Sequence, residues 1–271
     1  MPTFTGKTFS SFYKNILGLD QSSNVGVSTF VNYVQDGAGV NTAIRLSDDQ
    51  LSVLPQNDNV VNTFTVSNTG GSNILAVDTT NSKVLVGASQ VAANTQYAHF
   101  GIANDSSQSW IADTHFAVPF SSIESASGQY VAMGSSTSSS FNDTNPASSL
   151  TIGTNAQIYV NYYWYVMDDI TIDAVKWFHG ADAATGEDTA AHLMSYTIDT
   201  DNGSTGGDLT NGTVIADGAT ITNAGYEQIY YQSMTIQSAD VDAGKVILFT
   251  FASDTVNSDY SINATVKYHI R

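Results

Sequence analysis

Carboxylates are the residues of this chain best placed to do chemistry, and two groups of them stand out. The run Asp199-Thr-Asp-Asn-Gly-Ser-Thr-Gly-Gly-Asp208 sets acids at alternate positions ahead of a glycine. Calcium loops open this way: alternate side-chain oxygens converge on the cation and the glycine makes the turn. Asp199, Asp201 and Asp208 are the metal candidates. The terminal bidentate glutamate is missing, and a flexible acidic loop is the simpler account. The second group is Asp168, Asp169 and Asp173. In an alternating strand Asp169 and Asp173 share a face, and glycoside hydrolysis needs two carboxylates across one bond. A solvated turn explains these acids as well. The only glutamates are Glu124, Glu187 and Glu227.

Other reaction classes lack their residues. The sequence contains no G-x-S-x-G elbow, no phosphate-binding G-x-x-x-x-G-K-[ST] and no H-E-x-x-H. There is no cysteine, so no thiolate metal site and no disulfide can form. The histidines at 99, 115, 179, 192 and 269 show no short ligand spacing and read as packed or strand-face side chains. No catalytic or cofactor-binding residue is assigned, and the chain is expected not to be an enzyme. No cofactor is implied.

Composition narrows the partners. The formal net charge is −17, from 25 acidic and 8 basic residues among 271. Phosphate backbones demand clustered Lys and Arg, so nucleic acid and anionic membranes are excluded as partners. Charged residues make up only 12% of the chain, and Ser, Thr, Asn and Gly carry solubility, a mixture suited to strands and tight turns. No apolar run has the length of a signal peptide or membrane span, so synthesis in a cytosol and release without secretion are expected.

These residues must be positioned by β-structure. Residues 1–40 mix aromatic and polar residues with little period and read as an extended arm docking on a partner, or as a disordered tail. Residues 41–95 carry a ten-residue rhythm, Ile44, Leu54, Phe64, Ile74 and Val84, with turn chemistry at Asn68-Thr-Gly-Gly71 and Asp78-Thr-Thr-Asn81. The apolar side chains of this stretch repay too little of its ordering entropy for it to stand alone. Copies of the chain wound round one axis would supply the remainder, making a β-repeat stem or collar. A meander packed on the C-terminal part is the alternative. Residues 96–271 read as a β-sandwich, jelly-roll-like, with strands at 97–102, 110–120, 129–133, 157–166, 170–178, 192–198, 226–236, 245–252 and 260–270. Residues 135–145 and 199–217 are expected to be surface loops. Residues 182–194 have room for one helical turn, interrupted by Gly186. The aromatic run YVNYYWY at 159–165 would stack on sugars if exposed, but alternation sends half of it inward.

The stretches SFYKNILGLDQSSNVGVS, QDGAGVNTAIRLSDDQLSVLP and NILAVDTTNSKVLVGASQ together resemble the N-terminal half of virion structural proteins of tailed, especially marine, bacteriophages. This likeness spans roughly residues 10 to 95, and the final AGKVILFTFASDTVNSDYSINATVKYHI is similar to the last strands of the sandwich heads that end such proteins. The motifs mark a class and bring no catalytic residues. The resemblance implies a homotrimer assembled in the bacterial host cytoplasm and carried on the virion surface. Residues 1–40 would anchor it on a capsid or tail platform, and the sandwich would be exposed. A capsid-mounted fibre or decoration protein is the leading expectation. A tail-fibre adhesin binding host-surface glycans is the alternative, and a polysaccharide-degrading tailspike ranks third.

Overall fold

The computed structural model describes residues 17–21, 26–87, 89, 91–103, 112–121, 131–132, 160–182, 185–199, 208–225, 228–254 and 259–271. Every element in them is a β-strand, and every strand pair among them is antiparallel. The chain divides into two compact units, Met1–Ala93 and Asn94–Arg271.

The first unit holds two four-stranded meanders. One comprises β1 (Leu17–Leu19), β2 (Asn32–Asp36), β3 (Asn41–Leu46) and β4 (Leu51–Val53). The β2–β3 hairpin straddles residue 40, and of the expected arm residues 17–19 and 32–36 are paired strand. The hairpin closes because Asp36 Oδ1 accepts from the amides of Ala38 and Val40, with Gly39 at φ +82°. Residues 1–16 lie outside the described residues. The other meander comprises β5 (Phe64–Ser67), β6 (Asn73–Asp78), β7 (Lys83–Val86) and β8 (Val91–Ala92). Its turns sit where the sequence puts them. Asn68 Oδ1 accepts from the amides of Gly70 and Ser72, and Gly71 takes φ +82°. Asp78 accepts from the Asn81 amide and side chain at 2.9 and 2.7 Å. The Asn81 hydrogen bonds hold the Asp78 carboxyl below its ordinary range.

The second unit is a sandwich. Its strands are β9 (Thr95–Ile102), β10 (Phe116–Val118), β11 (Val131–Ala132), β12 (Trp164–Tyr165), β13 (Ile170–Asp182), β14 (Asp188–Ile198), β15 (Leu209–Asp217), β16 (Ile221–Thr222), β17 (Gln228–Ser233), β18 (Thr235–Ile236), β19 (Asp240–Val241), β20 (Lys245–Ser253) and β21 (Asp259–Ile270). An eight-stranded sheet runs β11-β10-β20-β14-β15-β18, with β12 and β16 at its margins. A five-stranded sheet runs β17-β13-β21-β9, with β19 beside β13. Their inner faces share one core, in which Phe249 and Phe251 of β20 meet Trp177 of β13, Phe100 of β9 and Tyr260 of β21. The apolar run of β20 is buried on both sides, because Val246 and Leu248 join Met194, Tyr196 and Tyr162 in a second cluster on the outer face.

Two expectations are corrected. Residues 209–217 are strand β15, not loop, with Leu209, Ile215 and Ala216 buried. The Asn211-Gly212 pair that signals a turn is absorbed as a bulge against Tyr196, with Asn211 at φ +54°. In place of a helical turn, residues 188–194 extend β14, entered through Gly186 at φ +85°. The expected loop at 135–145 lies outside the described residues.

Candidate functional site

Among the described residues the acids do not gather at one point. Asp169 lies before β13, where its carboxylate accepts from the Ala243 amide at 2.8 Å and its carbonyl from the Arg271 amide at 2.9 Å. The β13 bulge lies between Ile172 and Ala174; Asp173 stays on the exposed side, opposite the buried Ile170 and Ile172, and its carboxylate meets His269 Nδ1 at 3.0 Å. Asp169 and Asp173 keep separate partners. Asp168 is exposed. Asp199 and Asp208 close the base of the β14–β15 connection by a 2.8 Å backbone bond, while Asp201 lies outside the described residues. Among the described residues no three metal-ligating side chains gather.

Four of the five histidines are buried. His192 Nε2 lies 3.0 Å from Asp217 Oδ1 on the outer face of the eight-stranded sheet, with the His115 ring 5.0 Å away. His179 points into the core, stacked between Trp177 and Tyr230 at 5.0 and 5.1 Å. Its Nε2 donates to Asn223 Oδ1 at 2.9 Å, because the Asn223 amide nitrogen is committed to the Tyr260 hydroxyl at 3.2 Å. Tyr260 in turn donates to Glu187. Burial holds His179 down at about 4 and, helped by the Glu187 contact, pushes Tyr260 far up. Asn223 and Tyr260 are fully buried, and this chain of groups joins four segments of the sandwich.

Two surfaces remain open. The first belongs to the small meanders. In the β5–β8 sheet the register aligns Phe64, Val77 and Val84 in one row and Val66, Leu75, Val86 and Val91 in the next. All seven share a face, since side chains opposite one another in a sheet point the same way. That face carries no polar residue in these rows, yet none of the seven is buried, and Phe64, Val66, Val84 and Val86 are 40–45% exposed. The β1–β4 sheet repeats the arrangement: Ile44 pairs with Val53 and Leu46 with Leu51, while Tyr33, Arg45 and Ser52 occupy the opposite side. Ile44 is 44% and Leu51 67% exposed. The ten-residue rhythm marks this surface only in part. Even positions of β5 and β7 pair with odd positions of β6, so Leu75 and Val77 complete the face. Ala76 is turned to the other side, and Ile74 is the extra residue where the register slips.

The second surface is the outer face of the five-stranded sheet. There the register sets Phe178 beside Tyr231 and Asn263, and Gly180 beside Ile229 and Ser261. Ile229 is 75% and Tyr231 65% exposed. A cleft of about 340 Å³ lies over Gly180, bounded by Phe178, Ile229, Ser261 and Asn263. These residues went unnoticed in the sequence because they come from strands far apart along it; the one local signal is a glycine inside an alternating run. Of the aromatic run at 159–165, Tyr162 and Trp164 are core residues and Tyr165 is half exposed. No protein-family model matches this chain, and no curated protein matches it at a significant level.

Proposed function

We propose that this chain is a structural, self-associating component of a bacteriophage particle, a capsid-mounted fibre or decoration protein whose first unit forms the collar and whose sandwich is displayed. The observation that carries the reading is the uncovered apolar face of β5–β8. It leaves on the order of 400 Å² of greasy surface per chain, the size that marks an interaction site on a single protein. Each copy can cover at most roughly 400 Å² of this sheet, so a pair removes roughly 800 Å² in total, and the choice of three copies is taken from the resemblance and not from area. A closed three-fold ring satisfies every copy equally and leaves no open end for fibre growth. The β1–β4 face offers a second apolar surface of the same kind.

The virion setting rests on the sequence resemblance of residues 10–95, and attachment to a capsid or tail platform is assigned to residues 1–40. A chain of net charge −17 without clustered cations suits an exposed particle surface better than packaged nucleic acid. Sedimentation equilibrium of the purified chain tests the reading. The expected mass is three times 28.8 kDa. A folded monomer at micromolar concentration overturns it.

A further inference from the structure

We infer that the sandwich binds one water molecule between its two sheets, seated beside Gly218 and held by the Trp177 indole, the Gln232 side chain and the Ala191 carbonyl. This does not rest on the assembly reading. Gly218 directly follows β15 and is buried. Its amide donates to the Ala191 carbonyl of β14 at 3.0 Å. Its φ lies outside the left-handed region, so the backbone does not call for glycine here. Space does. A Cβ on Gly218 would lie 3.1 Å from the Ala191 oxygen, 3.1 Å from Gln232 Oε1 and 3.3 Å from Trp177 Nε1. Three polar atoms thus surround the side of the glycine from which a side chain would project. They come from β14 of one sheet and from β17 and β13 of the other.

The register explains the convergence. Gln232 stands directly opposite Trp177 in the β13–β17 pair, so the two side chains share the inner face of the five-stranded sheet. Stacking on His179 at 5.0 Å and an edge contact with Phe251 at 5.7 Å fix the indole plane, and with it the direction of its N–H. Trp177 Nε1 and Gln232 Oε1 are both buried, and neither has a hydrogen-bond partner among the described residues. Buried polar groups in folded proteins are nearly always paired, with protein or with ordered water. The Ala191 oxygen uses one lone pair on the Gly218 amide and keeps a second. Together the three atoms present one donor and two acceptors. Water matches that set: it accepts from the indole and donates to both oxygens, and about three hydrogen bonds is the usual number for a buried water. An anion would face two carbonyl oxygens. Ammonium has no lone pair with which to accept the indole N–H. An apolar group would leave all three atoms unsatisfied. The water so placed ties β14 to β13 and β17 across the core.

A crystal structure of the full chain tests the assignment, at a resolution that shows ordered water and from crystals grown without ammonium. A single peak is expected within about 2.7–3.2 Å of Trp177 Nε1, Gln232 Oε1 and the Ala191 oxygen. In solution the Trp177 indole proton should show cross-peaks to water of opposite sign in laboratory-frame and rotating-frame Overhauser spectra, which separates bound water from proton exchange. Gly218→Ala fills the seat and should remove both signals while lowering the melting temperature. Gln232→Leu deletes one acceptor at a half-buried position where the fold is kept, and should at least halve the occupancy. A direct Trp177–Gln232 hydrogen bond, a side of Gly218 without density, or a water signal undiminished in the folded variants each overturns the proposal.

Discussion

Val77 and Phe249 both sit mid-strand in antiparallel sheets, and their surroundings have almost nothing in common. Phe249 is fully buried, with Phe100 at 6.0 Å and the paired sheet closed over it. Val77 shares its face with six other apolar residues and no layer of described structure buries any of them. Among the described residues of the first unit only Ala76 and Asp78 are buried; every other described buried apolar residue belongs to the second. A sandwich answers the entropy of its own ordering, because two sheets cover one another. A four-stranded sheet with an open apolar face cannot, and on the proposed reading it borrows its cover. The lesson is that strand content says little about self-sufficiency; the fate of each face decides it.

The sharpest break between the units is expected from charge on the open face. Val77→Asp with Val84→Asp places two carboxylates in adjacent positions of one row. In an isolated chain they would be solvated and tolerated. Pressed against partner copies they would be unpaired charges out of water, at several kcal/mol each. The variant should sediment as a monomer and lose hydrogen-exchange protection in residues 64–92, while the melting of the sandwich stays put. Phe249→Ala is the mirror experiment. It should cost about 3–5 kcal/mol of sandwich stability and leave the mass of the assembly unchanged. If the double variant keeps the native mass, the borrowed-cover account of the first unit is wrong.

A smaller effect separates the units by pH. An unfolded histidine takes up a proton near pH 6.5, whereas folded His179 does so only at about 4. Between these values the unfolded state binds more protons, so acid favours unfolding. The contribution is whole above about pH 6.5 and shrinks as pH falls to 4, by about 3 kcal/mol in all. The cause is visible. With Nε2–H committed to Asn223, protonation would add an N–H at Nδ1, which has no partner among the described residues. His179→Gln keeps a donor towards Asn223 and removes the titration. Its melting temperature should start lower and lose less between pH 6.5 and 4 than the natural chain's, with no matching change in the first unit. Parallel pH profiles for the two proteins would discard His179 as the acid-sensitive group.

Which parts of this were legible beforehand follows from how local each signal is. The alternation of 170–178 and 260–270 and the apolar run of 245–252 announce β13, β21 and β20, because burial of one or both faces is written at every step. Strand β15 was hidden, since Thr210, Asn211, Gly212 and Thr213 carry loop chemistry and only tertiary pairing with β14 overrides it. The even spacing of Phe64, Ile74 and Val84 disclosed a repeating meander but not its apolar face, which depends on register, and register is not written in spacing. The cleft needs residues near 102, 178–180, 229 and 261–263 together, a convergence that only the folded sheet supplies. Asp199 and Asp208 carry a double signal, because a turn and a cation loop ask for the same residues.

The least effect is expected where charge is most conspicuous. Arg271 meets Asp242 at 2.9 Å and Asp240 at 3.5 Å, and these carboxylates stand 73% and 61% exposed. Exposed pairs are worth about 0–1 kcal/mol, since water and salt screen them and two long side chains must be held still. The Arg271 amide is independently tied to the Asp169 carbonyl, which the side chain does not influence. Arg271→Gln should therefore shift the melting of the sandwich by no more than a degree or two, and by less still in 0.5 M salt. A drop comparable with that of Phe249→Ala would mean that terminal ion pairing, and not the shared core, closes the sandwich, and the contrast drawn between the two units would have to be given up.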